Sequence, residues 1–160
     1  MMKQGDKAPD FSTVTESGEP FRLSALKGKK IMLYFYPKDN TPGCTEEACS
    51  IRDSWGVFQK GEVPVYGISG GSAKSHQSFK TKYDLPFPLL MDEAFEIAKL
   101  YGVYVMKKMY GKEYMGIERT TFLINEKGKV EGIFGGPEGI EKVKTKEHAE
   151  QVVEFWGLKL

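Results

Sequence analysis

The chain has 160 residues, 40% of them hydrophobic, and 23 Lys and Arg stand against 22 Asp and Glu for a formal net charge of +1. That length and apolar content suit one domain, residues 1–160, with a real core. The even charge, free of blocks of one sign, argues against nucleic acid or an anionic membrane as partner.

The longest apolar run, Ile31 to Tyr36, is far too short to cross a bilayer. Polar sequence follows Met1 and Met2 without a signal-peptide core, so the expected compartment is the cytoplasm.

In chain order, "KIMLYFYP" is a continuous apolar run closed by proline and predicts a central, buried strand. From Thr45 to Phe58, the apolar residues Ala48, Ile51, Trp55 and Phe58 recur at three- and four-residue steps and predict one amphipathic helix. "VPVYGIS" reads as a second buried strand, and "SAKSHQSFKTKY" as a helix capped by Ser72. "DEAFEIAKLYGV" reads as a helix opened by acids and closed near Gly102. "YVMKKMYGKEYM" reads as a partly exposed loop. "ERTTFLIN" and "KVEGIFGG" flank Glu126-Lys127-Gly128 and predict an antiparallel hairpin. "KEHAEQVVEFWGLKL" closes the chain as an amphipathic helix with Ala149, Val152, Val153 and Trp156 on one face. This alternation points to an α/β domain, a mixed central sheet with helices on both faces.

Both cysteines, Cys44 and Cys49, lie in "FYPKDNTPGCTEEACSIRD". Structural disulfides rarely persist in the cytoplasm, which leaves redox cycling, metal binding or packing as uses for the pair. Thr41, Pro42 and Gly43 sit where strand gives way to helix, so Cys44 falls in the first helical turn. Unpaired N–H groups and the positive end of the helix dipole there favour a thiolate, the nucleophilic form of sulfur. The plainer alternative is a small apolar residue at a helix start. In a wound helix, Cys49 is rotated from Cys44 by about 140° and separated from it by about 8.6 Å between Cα atoms. A disulfide needs about 4.4–6.8 Å, so the two cannot bond while the helix stays wound. Zinc usually takes four ligands, and the two histidines, His76 and His148, read as solvated side chains on polar helices. The glycine-rich "GISGGS" and "GIFGGPEG" match neither a P-loop nor a dinucleotide fingerprint and read as turns.

Pro37, Thr41 and Cys44 fit P-x-x-x-T-x-x-C, and "YPKDNTPGCTEEAC" resembles the Q-type peroxiredoxins, the bacterioferritin comigratory proteins. The likeness continues through "GISGGSAKSHQSF", "FPLLMDEAFEIAKLYGV" and "KKMYGKEYMGIERTTFLIN", with Gly70-Gly71 a departure where relatives often carry an acid after the first glycine.

The resemblance implies a thioredoxin-like fold with an N-terminal β-hairpin extension, for which "DFSTVTESGEPFRLSAL" is suitable. It implies that Cys44 attacks a peroxide and that Cys49 resolves the sulfenic acid as an intrachain disulfide. Thr41 would hydrogen-bond peroxide and sulfur, and Arg119 would bring a fixed positive charge. Pro37, Pro42, Gly43 and Glu47 would complete the peroxide pocket, Pro42 by shielding the thiolate and Glu47 by orienting Arg119. A thioredoxin-like dithiol would be the reductant, no metal, flavin or nicotinamide would be needed, and the protein would be a monomer. A redox sensor without turnover would use the same residues. A metal-binding module and a disulfide reductase are the other classes this fold admits.

Overall fold

The computed structural model describes residues 2–159. Strands β1 (Ser12–Val14) and β2 (Pro20–Arg22) pair as an N-terminal hairpin. Strand β3 (Ile31–Phe35) leads to helices α1 (Pro42–Asp53) and α2 (Trp55–Lys60), β4 (Val65–Ser69) to α3 (Ala73–Tyr83), and β5 (Leu89–Met91) to α4 (Glu96–Leu100). A second hairpin, β6 (Tyr104–Met109) with β7 (Lys112–Ile117), precedes a third, β8 (Thr120–Ile124) with β9 (Val130–Phe134), and α5 (His148–Trp156) follows.

The central sheet runs β5-β4-β3-β8-β9. Strands β3, β4 and β5 are parallel, and β8 lies antiparallel to both β3 and β9. All five residues of β3 are buried because both faces of the sheet are covered. Ile31, Leu33 and Phe35 join Phe11, Phe21, Ile97, Tyr101 and Phe122 on one side. Met32, Tyr34 and Tyr36 join Cys44, Ile51, Phe79, Leu123, Ala149 and Val152 on the other. This is the period of two that a strand imposes on its side chains. Among the described residues no helix is long and apolar enough to cross a membrane.

Three expectations are corrected. The helix foreseen from Thr45 to Phe58 breaks at Ser54, whose φ of −108° and ψ of 17° separate α1 from α2. The helix foreseen over "DEAFEIAKLYGV" begins only at Glu96. Phe95 there is left-handed at φ 59°, and the Asp92 carboxylate accepts from the N–H groups of Ile97 and Ala98 at 3.0 and 2.9 Å. This satisfies two amides that a helix start leaves unpaired. "YVMKKMYGKEYM" is not a loop but most of the β6–β7 hairpin, turning at Tyr110-Gly111 with φ of 54° and 77°. That two-residue turn is the kind that matches strand twist. Its alternation escapes a hydrophobic pattern because Met106, Met109, Tyr110, Tyr114 and Met115 are all exposed.

Candidate active site

Pro42 occupies the first turn of α1, where its missing N–H leaves no donor unsatisfied, and Thr41 precedes it in extended geometry. Cys44 follows in the same turn and is 1% exposed. The register of the sheet brings Arg119 to it. Phe35 at the end of β3 pairs with Thr120 at the start of β8, so Arg119 lies beside the loop that leads into α1. Its Nη2 donates to Cys44 Sγ at 3.3 Å and its Nη1 to Glu47 Oε1 at 2.7 Å. Gly43 lets the guanidinium in, since a Cβ there would stand 3.0 Å from Arg119 Nη2. Burial opposes the charge on Arg119, but Glu47 and then Cys44 favour it, and its pKa is raised.

Behind Arg119 and the expected Glu47 lies a buried polar group, His148 with Gln151 and Thr121, that the sequence reading missed. Glu47 is fully buried, and burial pushes its carboxyl from 4.5 up to about 7 despite Arg119. His148 is also fully buried, and burial pulls its imidazole from 6.5 down to about 4. Its Nδ1 meets Gln151 Oε1 at 2.8 Å and its Nε2 meets Thr121 Oγ1 at 2.6 Å. Gln151 Oε1 also accepts from Lys144 N, while Gln151 Nε2 donates to Glu141 and to the Lys142 carbonyl. These bonds fix Oε1 as an acceptor, so Nδ1 carries the imidazole proton and Nε2 accepts from Thr121. His148 Nε2 stands 3.7 Å from Glu47 Oε2, too far for a hydrogen bond, and a neutral imidazole makes no ion pair there.

A second cluster anchors the loop before α1. Asp39 accepts from Tyr36 Oη at 2.6 Å and from Ser75 Oγ at 2.8 Å, and its Oδ2 meets His76 Nδ1 at 2.6 Å. His76 Nε2 faces the Leu90 carbonyl at 3.1 Å. Burial would raise the Asp39 pKa, but bonds from His76, Tyr36 and Ser75 bring it below its ordinary value. Gly71 closes over this cluster, for a Cβ there would lie 2.6 Å from Asp39 Oδ2. Neither histidine is solvated, contrary to the sequence reading. The available signal was helical phase: His76 shares a face with Phe79, and His148 with Val152.

The remaining expected residues fall close by. Thr41 Oγ1 donates to the Lys38 carbonyl at 3.0 Å rather than to the sulfur. The Pro37 carbonyl accepts from Ser69 Oγ at 3.5 Å. Cys49 is half-buried on the same unbroken helix as Cys44, both thiols are free, and burial raises the Cys49 pKa. Lys107 of β6 is half-buried within electrostatic reach of the site; burial, then Arg119, lowers its pKa. Among the described residues, no three His, Cys, Asp or Glu side chains are grouped to hold a metal ion. A cavity of about 180 Å³ lies far from Cys44, where Ile31 and Ile124 line it with Leu23, Lys7 and Lys127.

A mixed sheet of this order, with a cysteine in the first turn of the helix after β3, defines a thioredoxin-like thiol protein. The chain belongs to the AhpC/TSA family, whose model matches residues 4–133. Peroxiredoxin Bcp of Bacillus subtilis is 45% identical over 150 residues, covering 94% of this chain and 92% of its own. A Coxiella burnetii protein bearing a peroxiredoxin bcp name is 52% identical over 149 residues, covering 93% of this chain and 95% of its own. Among solved structures, a cysteine-to-serine mutant of Xylella fastidiosa PrxQ superposes with a TM-score of 0.88 at 32% identity, covering 98% of this chain and 96% of that one.

Proposed function

We propose that the chain is a thiol-dependent peroxidase that reduces hydrogen peroxide and organic hydroperoxides through Cys44. The observation that carries this reading is the Arg119 guanidinium on the Cys44 sulfur at 3.3 Å. A structural neighbour, the Xanthomonas campestris bacterioferritin comigratory protein, has alkyl peroxide reduction activity and is 34% identical to this chain.

The thiolate sulfur of Cys44 bonds to one peroxide oxygen, and the O–O bond breaks. The other oxygen leaves with the electron pair and takes a proton, giving water or an alcohol. Sulfur is oxidised to a sulfenic acid. Arg119 stays charged and presents several N–H groups to sulfur and to the oxygen that gains charge. The Thr41 hydroxyl proton is committed to Lys38, so its oxygen serves peroxide as an acceptor and turns the substrate O–H toward itself. Pro42 and Gly43 form the wall of the pocket and Pro37 fixes its approach, while Glu47 holds Arg119.

Cys49 then condenses with the sulfenic acid, releasing water and forming an intrachain disulfide. In an ideal helix, Cα atoms five positions apart stand about 8.6 Å apart, so the first turn unwinds for the bond to form. That opening strains the bond from Thr145 Oγ1 to Glu46, next to the first turn, while the bond from Ala149 N to Ser50 Oγ in the third turn keeps the rest of α1 tied to the C-terminal segment. A thioredoxin-like dithiol protein reduces the disulfide by exchange. This cycle suits a monomer in the cytoplasm, with residues 1–160 acting as one domain.

The test is peroxide consumption with thioredoxin, its reductase and NADPH. Wild type is expected to turn over many equivalents of peroxide, and Cys44→Ser none. Retained turnover in Cys44→Ser would overturn the assignment, and a single equivalent consumed by wild type would identify a sensor instead.

A further inference from the structure

The second oxygen of Glu47 has no role in the scheme above, and its surroundings are unusual for a carboxylate. Oε1 accepts from Arg119, but Oε2 is buried without a hydrogen-bond partner. The polar atom placed across from it, at 3.7 Å, is His148 Nε2. That nitrogen carries a lone pair rather than a proton, because the Lys144, Glu141 and Lys142 bonds orient Gln151 so that Nδ1 must be the donor. An anionic Oε2 would therefore be buried against a second acceptor with no donor within hydrogen-bond reach, which is costly. A proton on Oε2 removes the buried charge. At 3.7 Å it makes no hydrogen bond to Nε2, whose single lone pair already accepts from Thr121 Oγ1, so the gain is the neutralised carboxylate itself.

From this we infer that Glu47 is held as a neutral acid in the reduced protein, its proton on Oε2 facing His148, and ionises when Cys44 loses its thiolate charge. Glu47 is thus a charge-balancing positioning residue acting through Arg119, and His148, fixed by Gln151 and Thr121, sets the state of its outer oxygen. The inference rests on the reading of Cys44 as the thiolate that meets peroxide.

The charges balance. Before attack, the guanidinium of Arg119 is matched by the thiolate, and Glu47 is neutral. During attack one negative charge leaves with the departing oxygen, which takes a proton from water at the pocket mouth. Arg119 then faces a neutral sulfenic acid and is left as a part-buried charge without a counter-charge. That cost outweighs the cost of an anionic Oε2, so Glu47 ionises and takes the thiolate's place. The proton given up by Oε2 offsets the one consumed by the departing oxygen, so the trio is neutral before and after. The groups that face Glu47 are Arg119 from the end of the β7–β8 link, His148 from α5, Cys44 from its own helix and Tyr34 from β3. Tyr34 is buried with its hydroxyl unpartnered, and burial, the largest cause, raises its pKa, so it stays neutral. The direction of the Glu47 and His148 shifts agrees with this assignment.

Infrared difference spectroscopy on Cys49→Ser tests it, because that variant stops at the sulfenic acid and keeps α1 wound. Oxidation by one equivalent of hydrogen peroxide at neutral pH is expected to remove the C=O band of a neutral carboxylic acid. The band should move when glutamate is labelled with carbon-13 at its side-chain carboxyl, a control that needs no further substitution. It should be absent in Glu47→Gln and shifted in frequency in His148→Gln. A reduced protein without a neutral glutamic acid band would overturn the inference, as would a band that survives Glu47→Gln or persists unchanged on oxidation. A band unmoved in His148→Gln would remove His148 from it. If instead Cys44 takes up no peroxide oxygen by mass spectrometry, the peroxidase reading fails, which is a separate outcome.

Discussion

Substituting either member of the Glu47–His148 pair should change how stability depends on pH, in opposite directions. Burial raises the Glu47 carboxyl from 4.5 to about 7, so between these values the folded protein binds a proton that the unfolded chain has released. Stability from this group is present below pH 4.5 and is lost as pH rises toward 7. Burial lowers His148 from 6.5 to about 4, so between those values the unfolded chain binds a proton that the folded protein refuses. Stability on its account rises with pH across that window and is complete above 6.5. Each contribution has a slope of about 1.4 kcal/mol per pH unit. From pH 4.5 to 6.5 they oppose each other and nearly cancel in the native protein. Removing one exposes the other by about 3 kcal/mol over those two units.

The assay is urea unfolding of reduced wild type, Glu47→Gln and His148→Gln at half-unit steps of pH, with each variant read as its difference from wild type. Other titrating groups, such as Asp39 and Asp10, are common to all three proteins and drop out of the differences. Relative to wild type, Glu47→Gln should gain about 3 kcal/mol of stability on going from pH 4.5 to 6.5, and His148→Gln should lose about as much. Flat difference curves, or two curves of the same sign, would refute the assignment of a buried neutral acid beside a buried neutral imidazole.

Arg119→Ala should slow the peroxide step by about 10²–10³ because it removes the donor aimed at the developing charge. Stopped-flow oxidation of Cys44 measures this, and a rate near that of wild type would place the pocket elsewhere. Formation of the Cys44–Cys49 disulfide should strip amide-exchange protection from residues 45–48, whose N–H groups bond back to the carbonyls at the start of α1, as Thr45 N does to Thr41 O at 2.8 Å. Comparing exchange across residues 42–53 in reduced and oxidised protein checks it, and unchanged protection together with a mapped disulfide would contradict the helix geometry. Gly71→Ala should cost about 1–3 kcal/mol in urea unfolding, because its methyl meets Asp39 and the His76 ring in a packed loop. A neutral result would mean that the loop gives way without strain.

Local pattern in the sequence determined most of the elements and the place of Cys44 in the first turn of α1. The apolar run of β3, the Ser72 cap that accepts from Ser75 N at 3.1 Å, and Pro42 in the first turn of α1 are decided by residues within a few positions of one another. Short-range sterics and hydrogen bonding act there, and they can be read without knowing the fold. The motif likewise put Cys44, Cys49, Thr41 and Arg119 in one family pattern, which bond geometry alone could not have done. Tertiary structure decided which groups meet. The Arg119 contact with Cys44 spans 75 positions and depends on the pairing of Phe35 with Thr120. The Glu47–His148–Gln151 chain depends on how α5 lies over α1. Both histidines have polar neighbours in sequence, yet a helix turns those neighbours to other faces and buries the imidazoles, His76 against Asp39 and Tyr36 and His148 against Thr121 and Phe134. The β6–β7 hairpin was hidden for the opposite reason, since two largely exposed faces leave no alternation to see. Sequence spacing carries the phase of an element, but burial and charge state are set by what packs against it.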